Sequence, residues 1–199
     1  MKVEFNSIDD PILREVMPFI DESELKSKQI KREIEIMLEL FYQSTAIISS
    51  TQDWSKIAGL AANQVGIYKR IAIIDLAPYR KNPPGILVLI NPEIIRYSDS
   101  LIGRYEGCAS LPNIWGYIKR PASITLRALD PSGNEMKIKA YNRNATVIQH
   151  EIDHLDGKLF IDRLENPTQA HYVTPEDLVT YRRLGKNWNK FIDVSNLVR

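Results

Sequence analysis

Gln149-His150-Glu151-Ile152-Asp153-His154-Leu155 is the stretch on which the reading of this chain turns. On a helix, residues four apart lie on one face, so His150 and His154 can both point at one metal ion. Glu151 stands beside the first of them, where a carboxylate can take a proton from a water held by that ion. The pattern predicts a helix over 143–155, ended by Asp156-Gly157 with the glycine in a left-handed C-terminal cap. Taken alone the motif is only moderately specific, because two histidines at this spacing also occur simply buried and hydrogen-bonded.

Two histidines leave a catalytic site one ligand short, since such sites commonly use three protein ligands and keep one position for water. Cys108 is the single cysteine, so no disulfide can form within the chain. A lone thiol in a reducing compartment is usually a small core residue. Here it lies in Tyr105-Glu106-Gly107-Cys108-Ala109-Ser110-Leu111-Pro112, upstream of the histidine helix, and is a natural third ligand.

The 199 residues suit one domain with a substantial core and no disulfide staples. Apolar residues make up 44% and charged residues 26%, an ordinary soluble composition. A net charge of +1 gives no reason to expect nucleic acid or an acidic surface as the main ligand. The first residues lack the apolar core of a signal peptide, and no apolar run approaches the roughly 18 residues that span a bilayer. The expectation is a cytoplasmic protein that binds neither membrane nor DNA.

Outward from the motif, the chain reads as α+β. Residues 7–20 look irregular, with Asp10-Pro11 and Met17-Pro18 as breakers. Asp21 with Glu24 resembles a capping box, and Leu25, Ile30, Ile34, Met37, Leu38 and Phe41 recur at helical spacing, which predicts a helix over 22–46. Ile71–Leu76 and Ile86–Ile90 read as strands separated by a Pro83-Pro84-Gly85 turn, and Glu93–Tyr97 reads as another short strand after Asn91-Pro92. Ser123–Leu129 and Glu135–Tyr141 make a hairpin across Asp130-Pro131-Ser132-Gly133-Asn134. A final helix begins at Pro175. The fold class is therefore α+β, with antiparallel or mixed β-sheets packed around a central metal-binding helix and helices at both ends.

A third segment, Ile57-Ala58-Gly59-Leu60-Ala61-Ala62-Asn63-Gln64, completes the pattern. Together with Glu106-Gly107-Cys108-Ala109-Ser110 and His150–Leu155, in this order, it resembles the peptide deformylases. That family carries a Gly-x-Gly-Leu-Ala-Ala-x-Gln segment, a Glu-Gly-Cys-x-Ser segment and a His-Glu-x-x-Asp-His-Leu helix. The likeness extends to Asp10-Pro11-Ile12-Leu13-Arg14, to Val88-Leu89-Ile90-Asn91-Pro92 and to Gly157–Asp162, so it covers roughly residues 8–165. Joint occurrence of three motifs makes it specific. It implies a catalytic domain over residues 1–165 and a divergent extension over 166–199, packed on or trailing from the same domain.

The resemblance implies a metal-dependent hydrolase that removes the N-formyl group from the N-terminal methionine of new polypeptides and releases formate. Cys108, His150 and His154 are then the metal ligands, and Glu151 and Gln64 the catalytic residues. Glu151 accepts a proton from water and passes it to the departing amine. The Gln64 amide and the backbone around Cys108–Ala109 donate to the developing oxyanion. Ala58, Gly59, Leu60 and Ala109 are implied at the substrate, with Gly59 letting the chain run close to an extended peptide. Glu106 and Arg120 read as an ion pair that supports the metal loop. The cofactor is one divalent ion, with iron(II), Fe2+, expected and zinc, nickel or cobalt acceptable to the same donors in purified protein. The partner is the N-formyl-methionyl nascent peptide.

Several positions depart from the family pattern. Ile57 stands where the first glycine belongs, and a β-branched residue does not easily take positive φ. Trp115 replaces an arginine of bacterial members near the methionine pocket, and reads either as a packing aromatic or as an altered rim. His171 suits a packing or surface role rather than a fourth ligand. Arg182, Arg183, Lys186 and Lys190 bias the tail toward transient contact with the ribosome, although a solvated helix face is the plainer reading. Two rival functions remain at this stage. A zincin-type peptidase explains the histidine helix but neither of the other motifs. A deformylase-like protein with a changed substrate or a peptide-binding role is motivated by Ile57 and the tail.

Overall fold

The computed structural model describes residues 5–49, 57–76 and 85–198, without the side chains of 44–49. In chain order the elements are α1 (Glu22–Leu25), α2 (Lys28–Ser49), β1 (Gly59–Ala61), β2 (Ile71–Asp75) and β3 (Ile86–Tyr97). Then come β4 (Leu101–Cys108), β5 (Leu111–Pro121), β6 (Ser123–Leu129), β7 (Glu135–Tyr141) and α3 (Asn142–Leu155). The chain closes with β8 (Ala170–Tyr172), α4 (Leu178–Leu184) and β9 (Phe191–Ile192).

Two antiparallel sheets result, one ordered β1-β2-β3-β6-β7 and one ordered β4-β5-β8-β9. Both faces of the first sheet are covered, which explains the unbroken apolar run of β2. Ile71 and Ile73 point into a cluster with Ile30, Ile34, Met37 and Phe41 of α2. Ala72 and Ile74 point the other way, into a cluster with Ala145, Ile148, Ile152 and Leu155 of α3. These α3 residues recur at helical spacing, so the helix turns one stripe to this core and keeps another for the histidines. A third cluster joins Leu111 and Ile118 of β5 to Leu13, Leu159, Phe160 and Ile161.

The expected α+β class and the central histidine helix are both present. The helix expected over 22–46 is two helices. Asp21 accepts from Glu24 N–H (2.8 Å) as a cap, but the Glu24 carboxylate turns to Lys69 instead of closing the box. Ser27 then starts α2, its hydroxyl accepting from Ile30 N–H (3.2 Å). The two strands expected on either side of Asn91-Pro92 are one, β3, with a register irregularity between Ile90 and Glu93. Asn91 takes φ 52° there and its amide exchanges two hydrogen bonds with the Ile20 backbone (2.8 and 2.7 Å). The expected turn at Pro83-Pro84 lies outside the described residues. The β6–β7 hairpin pairs Leu129 with Glu135 as expected, and Gly157 caps α3 at φ 68°. From Pro175 the helix opens with one 3-10 turn before α4. Among the described residues no helix is long and apolar enough to cross a membrane.

Candidate metal and catalytic site

Three separate segments meet at one point. Helix α3 brings His150 and His154 to one face, their rings 5.0 Å apart between centroids. Strand β4 brings Glu106 and Cys108, which share a face because strand side chains alternate. The Cys108 Sγ lies 3.2 Å from His154 Nε2. The donor atoms of Cys108, His150 and His154 all fall within 4.8 Å of one another. The 3-10 turn after β1 brings Gln64, whose Oε1 accepts from Ala61 N–H (2.9 Å). That bond turns the amide nitrogen to Cys108 Sγ (3.3 Å) and Ser110 Oγ (3.5 Å).

The donor set fits a divalent ion. His150 donates through Nδ1 to Glu106 Oε2 (2.9 Å), which leaves Nε2 as the nitrogen that would face an ion taking the place of its proton. Glu106 is in turn forked by Arg120, with Nε to Oε1 at 2.6 Å and Nη2 to Oε2 at 2.9 Å. Arg120 also reaches Asp153 Oδ2 (2.6 Å), and Arg163 grips the same carboxylate at 2.6 and 2.5 Å. A chain of alternating charges therefore runs from the surface to a metal-facing imidazole. The sequence reading contained Glu106 and Arg120 but not Asp153 or Arg163. Asp153 sits inside the motif itself, and only its carboxylate beside a buried arginine would have marked it.

The electrostatics favour a cation. Burial pushes the Glu106 carboxyl up, but Arg120 and His150 outweigh it and hold the pKa at about 2, so it stays ionised. His150 is also opposed by burial, yet Cys108, Glu106 and Glu151 raise its pKa well above normal. Surroundings that favour a proton on this ring favour any cation beside it. Burial, with the positive charges of His150 and Arg120, holds His154 well below its usual value, as the neutral ring that ligation requires.

Glu151 is 4% exposed, and its Oε2 is buried without a hydrogen-bond partner among the described residues. Burial raises its carboxyl to about 7 against the pull of His150 and Arg120. A carboxyl placed so is a candidate proton carrier. Its position depends on Gly59, because a Cβ on that residue would overlap the Glu151 carboxylate. The glycine thus makes room for the acid, a constraint additional to the close approach of a peptide expected from the sequence. Gly59→Ala is expected to displace Glu151 and cut activity at least tenfold with a small fall in melting temperature, measured by turnover and thermal unfolding.

The remaining candidates divide. Strand β1 is an edge of its sheet. Asp75 N–H bonds the Ala58 carbonyl (2.8 Å), so by ladder alternation Leu60 pairs with Ile73, while Gly59 directs its N–H and C=O outward. The Leu60 side chain is in the core at 0% exposure, so Leu60 presents neither side chain nor backbone to a ligand, and the Ala58 carbonyl is likewise engaged. Ala109 is exposed in the turn after Cys108. Ile57 takes no positive φ and packs against the α2 cluster, so its position tolerates a branched side chain. His171 lies apart from the donors, its Nδ1 2.8 Å from the Tyr181 hydroxyl. Trp115 packs its ring on Tyr181, 5.6 Å between centroids.

A model of the polypeptide deformylase family matches residues 3–170. A peptide deformylase of Thermomicrobium roseum is 36% identical over 165 residues, 81% of this chain and 93% of the relative. One of Caldicellulosiruptor bescii is 33% identical over 177 residues, 89% of this chain and 91% of the relative. Among solved structures, a peptide deformylase from Synechococcus elongatus in complex with actinonin superposes with a TM-score of 0.70 at 30% identity, covering 99% of this chain and 91% of that one. The peptide deformylase from Thermotoga maritima gives 0.69 at 30% identity, covering 83% and 99%.

Proposed function

The chain belongs to the polypeptide deformylase family, metal-dependent hydrolases that free nascent polypeptides of the N-formyl group, and on that premise we propose how its residues divide the work. Cys108, His150 and His154 hold one divalent ion, with iron(II) the physiological metal, since a thiolate and two imidazoles accept several metals and supply decides. The ion supplies Lewis acidity, which polarises the formyl carbonyl and acidifies water. The single observation that carries this reading is the convergence of that thiol and two imidazoles beside the partnerless Oε2 of Glu151.

Glu151 Oε2 takes the proton as the water oxygen bonds to the formyl carbon. It returns that proton to the amine nitrogen as the carbon–nitrogen bond breaks and formate leaves. The Gln64 Nε2–H and backbone donors at Cys108–Ala109 stabilise the oxyanion. The outward N–H and C=O of Gly59 pair with the extended peptide as an added strand. Glu106 and Arg120 orient His150. Residues 166–198 form one catalytic unit with 1–165, supported by the pairing of β8 with β5. The exposed Arg182, Arg183 and Lys186 suit transient contact with the ribosome in the cytoplasm.

Formate release from a formyl-Met-Ala peptide by anaerobically prepared protein tests this assignment. Wild type is expected to release formate stoichiometrically, and Cys108→Ala is expected to lose both metal and turnover. A Cys108→Ala protein that still binds the ion as tightly as wild type would overturn the ligand assignment.

A further inference from the structure

Two features that depart from the family pattern, Trp115 and the C-terminal segment, touch each other. We propose that Trp115, Tyr181 and Trp188 are positioning residues, an aromatic layer that holds the Gly107–Cys108 end of β4 from behind. The inference rests on reading Cys108 as a metal ligand and adds how that ligand is kept in place.

Alternation along β4 turns Glu106 and Cys108 to the site and Tyr105 and Gly107 to the opposite face. The β4–β5 register runs regularly to Gly107↔Trp115 and then jumps to Cys108↔Leu111. Strand pairing is thus interrupted immediately before the thiol, where a bulge re-aims the chain. A restraint from another direction is needed to keep Sγ in one place, and the back face supplies it. The Trp115 ring lies where a Gly107 side chain would be, and two of its atoms would stand 2.8 Å from a Cβ there.

Trp115 is in turn buttressed by the C-terminal segment. Tyr181, 1% exposed, meets Trp115 edge-on at 5.6 Å and Tyr105 at 5.4 Å between centroids. Trp188 meets Tyr181 at 5.2 Å. The two C-terminal rings are pinned at their polar ends, Tyr181 by His171 Nδ1 (2.8 Å) and Trp188 by donation to the Tyr172 carbonyl (3.0 Å). The layer therefore touches both back-face residues that flank Glu106, and through them it constrains the strand that carries the thiol.

The test uses the full chain loaded with cobalt(II), reading its release to a chelator and the thiolate-to-cobalt absorption bands. Trp115→Leu and Tyr181→Leu are expected to release the ion about tenfold faster, with shifted bands, the scale seen when groups supporting a ligand are lost. Trp115→Phe, which keeps a ring over Gly107, is expected to stay close to wild type. Folded leucine variants with wild-type release and unchanged bands overturn the proposal. If Tyr181→Leu does not fold, the half-buried Trp115 decides alone. Wild type that takes up no cobalt overturns the metal assignment itself, an outcome distinct from tight retention in every variant.

Discussion

Exchange of Glu151 for glutamine is expected to lower deformylation by about 10²–10⁴-fold, the usual contribution of a positioned proton carrier. Glutamine keeps the shape that fits against Gly59 and is nearly isosteric, so the cavity and the metal ligands stay as they are. What disappears is the basic oxygen. The partnerless Oε2 has no protein donor among the described residues to satisfy, so its replacement should leave the fold intact. Formate release and metal analysis on the same preparation check this. A glutamine variant that turns over like wild type with its metal in place would remove Glu151 from the mechanism.

Arg120→Leu is expected to have the largest effect on stability. The guanidinium is 0% exposed and bonds two carboxylates that are themselves nearly buried. Removing it leaves the buried Glu106 paired only with His150 and the buried Asp153 only with Arg163, which costs about 3 kcal/mol, the low end for a broken buried pair. For a chain of this size that is a fall in melting temperature on the order of 10 °C. Lysine does not rescue it, because one ammonium cannot fork Glu106 and reach Asp153 together. Since Glu106 orients His150, the surviving folded fraction is expected to bind metal more weakly as well. Unchanged thermal unfolding of Arg120→Leu would show that the network is dispensable.

The parts of this fold that were legible from residues alone are those with strong periodicity or strong turn chemistry. His150 and His154 at helical spacing, Gly157 past the helix end, and Asp130–Asn134 between alternating strands each announce one local structure. The long β4–β5 pair was not legible as a ladder. Gly103, Gly107 and Gly116 interrupt its alternation, and each glycine is there because a neighbouring side chain occupies the space. The break between α1 and α2 was equally hidden, since the apolar spacing runs straight through Ser27. Strands β8 and β9, three and two residues long, are too short to show any period.

The same reasoning separates the site. Its ligands were readable because metal chemistry restricts them to few residue types. Asp153 and Arg163 were not, because a charged residue acquires meaning only from what folds against it. The second constraint on Gly59 was hidden for a related reason: the neighbour it accommodates, Glu151, is distant in sequence.

The donors come from positions 108, 150 and 154. A half-made copy of this chain therefore owns the thiol but neither imidazole, and it is chemically inert while it grows. Competence therefore arrives late in synthesis, only after residue 154 has been added to the chain that already carries the thiol.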